Sequence, residues 1–231
     1  MNQEKHRLIF ALITIGMVVA FNVTGALTGA GWKLATGSTA FTLLVMLVWQ
    51  ARTRDPVFGR WLLIGLIGGW IEITTDAWLV AHTQTLLYPA GEPLVWDSPL
   101  YMPFAWMIVL AQTGTIATWL GQRLPLAAAM LLTGLLGGIS IPLYELLAHY
   151  ANYWTYTRTP MILHAPFYII VSEFLLTLPL PWIGRLALRS AWPYSLLLGA
   201  LVGVLMFPAV LIAWWLVGPC EGAIVQFSCT G

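Results

Sequence analysis

Apolar residues dominate the chain in seven long runs, at positions 8–28, 34–50, 61–83, 100–120, 125–150, 166–183 and 194–217, separated by short polar connections. A helix needs about 20 apolar residues to cross the hydrocarbon of a bilayer. Each run therefore predicts a transmembrane helix, with the second and sixth the shortest. The pattern predicts an all-α, polytopic integral membrane protein: a seven-transmembrane-helix bundle forming a single transmembrane domain over 1–231, with a short tail, 218–231. Residues 1–7 are polar, and the first apolar run is long for a signal h-region of roughly 7–15 residues. The first run is expected to be retained as a span.

Charge orients this pattern. Lys5 and Arg7, then Arg52, Arg54 and Arg60, then Arg123, then Arg185 and Arg189 fall in one alternate set of connections, and only Lys33 and Arg158 fall in the other. The positive-inside rule puts the first set in the cytoplasm. The N-terminus is then cytoplasmic and the C-terminus extracytoplasmic, as an odd number of spans requires. The outer side carries the two longest loops, around 84–99 and 151–166, rich in Tyr and Trp. Cys220 and Cys229 fall in the outer tail, where an oxidising space favours a structural disulfide between them. Composition agrees: 59% of residues are hydrophobic and 8% charged, with mean hydropathy +0.82, against about 25% charged in soluble domains. The solvent of such a chain is lipid, and the expected location is a bacterial or archaeal cytoplasmic membrane. A net charge of +1 gives no reason to expect nucleic acid.

Four glycine pairs have GxxxG spacing: Gly25/Gly29, Gly65/Gly69, Gly134/Gly138 and Gly199/Gly203. Glycines one turn apart let helices approach closely. Two of the pairs lie in similar stretches. Leu63-Ile-Gly-Leu-Ile-Gly-Gly69 resembles Leu132-Thr-Gly-Leu-Leu-Gly-Gly138, and the same offset of 69 places Asp76 on Glu145. Further on, Pro99-Leu-Tyr101 matches Pro166-Phe-Tyr168 at an offset of 67, which also places His82 on His149. Spans three and four, and five and six, are expected to be parallel repeats about an axis along the membrane normal.

Ionisable side chains inside a bilayer are costly and face protein or water. Here Glu72 and Asp76 share a face of the third span, with His82 at its outer end. Glu145 and His149 share a face of the fifth. His164 begins the sixth, and Glu173 lies roughly 13 Å deeper at 1.5 Å per residue. All are expected between the midplane and the outer surface, whereas Glu92 and Asp97 read as solvated loop residues. Four carboxylates close together need protons or a cation to balance them. Glu72, Asp76, Glu145, His149, His164 and Glu173 form a candidate metal shell for one or two divalent ions, with iron, zinc or manganese suited to such O and N ligands. The alternative is acid–base chemistry by Asp76, Glu72 and Glu145. Trp70, Trp78, Trp106, Tyr101 and Tyr168 would then wall a substrate and stabilise a cation through their ring faces.

Trp70-x-Glu72 and the following Leu87-Tyr88-Pro89 resemble, over about 20 residues, the small integral-membrane terpene cyclases and carotenoid-modifying proteins. The resemblance implies an apolar, isoprenoid-like substrate. A retinal-binding rhodopsin needs a lysine in the last span, which has none, and the all-histidine membrane hydroxylases need many more than the four histidines present. The leading expectation is a membrane-embedded enzyme acting on a lipid, isoprenoid or other apolar substrate: a cyclase, a hydratase or an oxidoreductase. A proton- or ion-coupled transporter, and a non-catalytic subunit or assembly factor of a membrane complex, are the alternatives. The partners expected are membrane lipids, the apolar substrate, and either further copies of the chain or a membrane complex.

Overall fold

The computed structural model describes residues 3–218. Cys220, Cys229 and nearly all of the expected tail lie outside the described residues. Eight helices run in chain order: α1 (Gln3–Thr28), α2 (Trp32–Thr53), α3 (Pro56–Ala77), α4 (Met102–Arg123), α5 (Leu126–Tyr150), α6 (Phe167–Thr177), α7 (Leu180–Arg189) and α8 (Tyr194–Val217). Together they give seven helical stretches long and apolar enough to cross a membrane. The sixth stretch is α6 and α7 in series. It runs to Arg189 rather than ending near 183, and it breaks where Pro179 interrupts the helical ladder. The third begins at Pro56, earlier than the apolar run suggests. Asp55 caps it by accepting from the Val57 and Phe58 amides at 2.9 and 3.0 Å, and Pro56 supplies the fixed φ of a first turn.

The basic ends of the helices are tied together. Arg7 is buried and donates to both oxygens of Asp55 at 3.0 and 3.1 Å. Arg60 donates to the Ser190 carbonyl at 2.8 Å and stacks over Trp192, while Arg185 donates to the Gly121 carbonyl. Above this end lies a core of Phe58, Trp61, Ile64, Leu110, Leu180 and Ile183.

The expected repeat is present in the packing. A Cβ added to Gly65 would lie 2.8 Å from the Met107 carbonyl of α4, and one on Gly134 would lie 2.9 Å from the Phe174 ring of α6. Met107 and Phe174 are themselves related by the offset of 67. Gly69 meets Pro103 and Gly138 meets Ile170, again an equivalent pair. Thus α3 sits on α4 as α5 sits on α6. Gly199 and Gly203 of α8 meet Ile64, Ile67 and Ile71 of α3, so α8 covers α3 and α6, and α1 covers α4 and α5. The remaining helix, α2, leans on α1 and α4 and has no counterpart.

The non-basic end is closed by the two long connections, which are more ordered than an all-α reading anticipates. A ribbon pairs Leu94–Val95 (β2) with Ser98–Pro99 (β3), and another pairs Met161–Ile162 (β5) with Ala165–Pro166 (β6), each residue displaced by 67 from its equivalent. Leu86–Leu87 (β1) pairs antiparallel with Thr155–Tyr156 (β4), joining the two connections. The rungs Leu86–Tyr156 and Leu87–Thr155 exchange under the offset of 69, so the pseudo-two-fold axis passes between them.

Gly65→Val presses against α4 backbone, whereas Gly134→Val meets only side chains of Phe174 and Leu178. We expect Gly65→Val to cost about 3 kcal/mol and Gly134→Val about half that, the range seen for overpacking. Thermal unfolding in detergent checks this, and equal costs would contradict the asymmetry.

Candidate functional site

The helix carrying the first acids changes geometry just past them. After Ala77 the chain makes a π-helical turn over Trp78–Thr83, a widening often found beside functional groups. Glu72 and Asp76 lie one turn apart on the buried face of α3, 5 and 6% exposed. Glu145, 5% exposed, faces them from α5, and Glu173 completes the set from α6. The four carboxylates lie within one another's electrostatic reach: Glu72 with Asp76 and Glu173, and Glu145 with Glu173 and Asp76. The acids from the third, fifth and sixth helical stretches therefore form one buried, electrostatically linked cluster, near the non-basic end.

Each acid has its own anchors. Asp76 Oδ2 accepts from the Tyr88 hydroxyl at 2.5 Å and from the Ser98 hydroxyl. Glu145 Oε2 accepts from the Trp154 indole at 2.6 Å. Glu72 faces the Trp106 indole, and its Oε2 is buried without a partner. Trp154 is the hub of an aromatic wall, its ring touching those of Tyr88, Tyr144 and Tyr153 at 6.5, 5.8 and 6.1 Å. Ion pairs join Arg7 to Asp55 and Arg123 to Glu4, and neither reaches the cluster.

The histidines stand apart from the acids. His149 and His164 stack on each other at 3.8 Å, and His149 Nδ1 pairs with the Thr155 hydroxyl at 3.1 Å. His149 lies one turn beyond Glu145, at the end of α5, and His164 sits in the β5–β6 turn with φ of 65°. Both rings therefore lie in the roof, above the carboxylates. His82, the equivalent of His149, is exposed and stacks on Trp78. Among the described residues no group of three or more His, Cys, Asp or Glu is arranged to hold a metal ion. The six residues read as a metal shell are thus divided between an acid cluster and an imidazole pair.

The aromatic expectations also divide. Trp106 and Tyr101 border the cluster. Tyr168 is fully buried and shares a hydrogen bond of 2.8 Å with the Thr85 hydroxyl. Trp78 packs on Phe207 and Trp214 of α8, and Trp70 is 42% exposed on the outer surface of the bundle beside Phe104. Two residues short of Glu72, Trp70 falls on the opposite face of α3.

The chain belongs to the DUF6989 family. The match spans residues 73–217, and the family is described as a domain of unknown function. No curated protein and no solved structure matches the chain. In this DUF6989 protein the matched region takes in Asp76, Glu145 and Glu173, both roof connections and α8.

One acid was missed by sequence reasoning. Glu92, expected in solvent, is 8% exposed, and both its carboxylate oxygens are buried without a partner. It lies in the field of Asp76 and beside Tyr101. The repeat holds the available signal. Residues 88–92 separate β1 from Pro93, whereas only 157–159 separate β4 from Pro160. The two-residue excess carries Glu92 and the left-handed Gly91, and it folds the acid inward. Burial and the Asp76 charge raise Glu92 from its ordinary value near 4.5 to about 7. A value raised on folding means that the neutral form favours the fold. That contribution is complete below pH 4.5 and is lost as pH rises through about 7. Thermal melts should therefore show lower stability at pH 8 than at pH 5. Glu92→Gln should narrow that gap, and an unchanged gap would assign the pH dependence to other groups.

Proposed function

We propose that the chain is a membrane-embedded enzyme that acts on a lipid, isoprenoid or other apolar substrate by carboxylic acid catalysis. The observation that carries this reading is the pairing of Asp76 with Glu145 across the pseudo-two-fold axis, in a buried cluster with Glu72 and Glu173 that Trp106 and Trp154 border. Among the described residues no basic side chain pairs with the cluster, and in this reading protons balance its charge. Both hydrogen bonds to Asp76 fall on Oδ2, which leaves Oδ1 to deliver one. Proton transfer to a carbon–carbon double bond breaks the acid O–H, forms a C–H bond and leaves a carbocation, which aromatic faces stabilise. An ionised Glu145 takes a neighbouring proton, which regenerates an alkene, and return of that proton from Glu145 to Asp76 resets the site; the net result is isomerisation, or cyclisation where a second double bond of the substrate first attacks the cation, with no co-reactant. The likeness of Trp70-x-Glu72 to membrane terpene cyclases supports the same substrate class, although Trp70 itself faces away from the cluster.

The basic end is the cytoplasmic one in this reading. The acid cluster then lies nearer the extracytoplasmic leaflet, in the cytoplasmic membrane of a bacterium or archaeon. Reporter fusions after α2 and α4 should report a cytoplasmic location, and fusions after α8 an outer one. The apolar core of the basic half, around Phe58, Trp61 and Leu110, weighs against an ion path through the bundle.

Membranes containing the protein, incubated with farnesol or geranylgeraniol and analysed by mass spectrometry, should yield an isomeric product. Asp76→Asn should lower turnover at least 100-fold, the usual scale for removing a general acid. Glu145→Gln should lower it about tenfold or more, and a metal chelator should leave it unchanged. Full turnover in Asp76→Asn would sink the proposal.

A further inference from the structure

A space lies beside the acid cluster and shares Trp154 with it. It is a cavity of about 50 Å³ between the α1–α2 hairpin and α4–α5, closed above by Tyr101, Tyr153 and Trp154. Its polar lining is Asn22, Ser38, Thr39 and Thr42, and no charged side chain lines it. Tyr101, Tyr153 and Thr42 all line it and are 7, 2 and 1% exposed, and each carries one hydroxyl. All three are buried with no hydrogen-bond partner. An unpaired buried hydroxyl costs on the order of 1–3 kcal/mol, so three around one space call for an occupant.

The pseudo-symmetry shows that this is a departure rather than a packing accident. Under the two offsets, the counterpart of Tyr101 is Tyr168, and that of Thr85 is Trp154. On the α8 side, Tyr168 bonds Thr85 and packs on Trp214 at 5.0 Å, so the equivalent space is filled. On the α1 side, Trp154 takes the place of Thr85 and gives its N–H to Glu145, which strands the Tyr101 hydroxyl. The Tyr153 hydroxyl lies against Gly25, where a Cβ would be 2.5 Å from it. The small, hydroxyl-bearing face of α2 has no bulky ring to fill the gap.

We infer that this cavity holds the oxygen-bearing end of a neutral amphiphile, an alcohol or carbonyl, through the hydroxyls of Tyr101, Tyr153 and Thr42. Hydroxyls both donate and accept, so they suit either oxygen type. The absence of a charged lining excludes phosphate or ammonium heads on desolvation grounds. A space of this size takes an end group and not a chain, each water-sized group needing about 10–15 Å³. Through Trp154, the same wall touches Glu145, so an oxygen held here sits one ring away from the acids. The inference rests on the acid-enzyme reading and names its substrate class.

Binding separates the two ideas. Tritiated farnesol would be bound to the full chain in lipid nanodiscs, with farnesol and the oxygen-free hydrocarbon farnesene as competitors. Farnesol should compete at least tenfold better than farnesene. Tyr101→Phe, Tyr153→Phe and Thr42→Val keep the shape of the cavity, and each should weaken farnesol about three- to tenfold while leaving farnesene unchanged. Asp76→Asn should bind farnesol normally. Equal competition by farnesene, or normal farnesol binding in the triple hydroxyl-less variant, would overturn the site. So would a high-resolution structure with farnesol present in which ordered water still fills the cavity. Loss of binding in the hydroxyl variants together with full turnover in Asp76→Asn would keep the site and discard the acid reading.

Discussion

Close approach of helix backbones at glycine sets the geometry on which the site depends. In a bilayer the hydrophobic effect gives helices little reason to associate, and van der Waals contact has to hold them together. Gly65 and Gly69 let α3 settle on the carbonyls of α4, and Gly134 and Gly138 let α5 settle on the Phe174 ring and the Ile170 carbonyl of α6. Those two contacts fix the height at which Asp76 and Glu145 face one another. Any slip of one pair against its neighbour would move an acid relative to the cluster by a helical rise per residue.

Internal symmetry gives the framework, and its violations carry the chemistry. The two β ribbons and the glycine contacts obey the offsets residue by residue. Glu72 has Ile141 as its equivalent, Glu173 has Trp106, and Trp154 has Thr85. The two-residue excess after β1 has no partner at all, and it brings Glu92 to the cluster. α2 is likewise unmatched, and it forms one wall of the cavity against α4 and α5.

The seven long apolar helices were legible in the sequence because each run has the length and low polarity that a bilayer demands, and the repeat was legible because glycine spacing is conspicuous among apolar residues. The convergence of Glu72, Asp76, Glu145 and Glu173 followed from their depths and shared faces. The histidines misled because spacing along a helix fixes the face and not the height of the cluster: His149 shares the face of Glu145 but stands a turn above it. Trp70 and Trp78 show the same limit, since a position near an acid in sequence lies as readily on the far side of the helix. Glu92 was hidden because nothing in an outer-loop carboxylate marks it as folded inward until both connections and their pairing are known.

The ribbon of β1 with β4 lies on the pseudo-axis and is its own image. A chain of half the length, holding only a glycine-paired helical hairpin and its connection, would form the same two rungs with an identical copy. The present protein is in that sense a tethered dimer. Its halves differ in what they bring, one an aspartate bonded by the longer connection, the other a glutamate under a tryptophan.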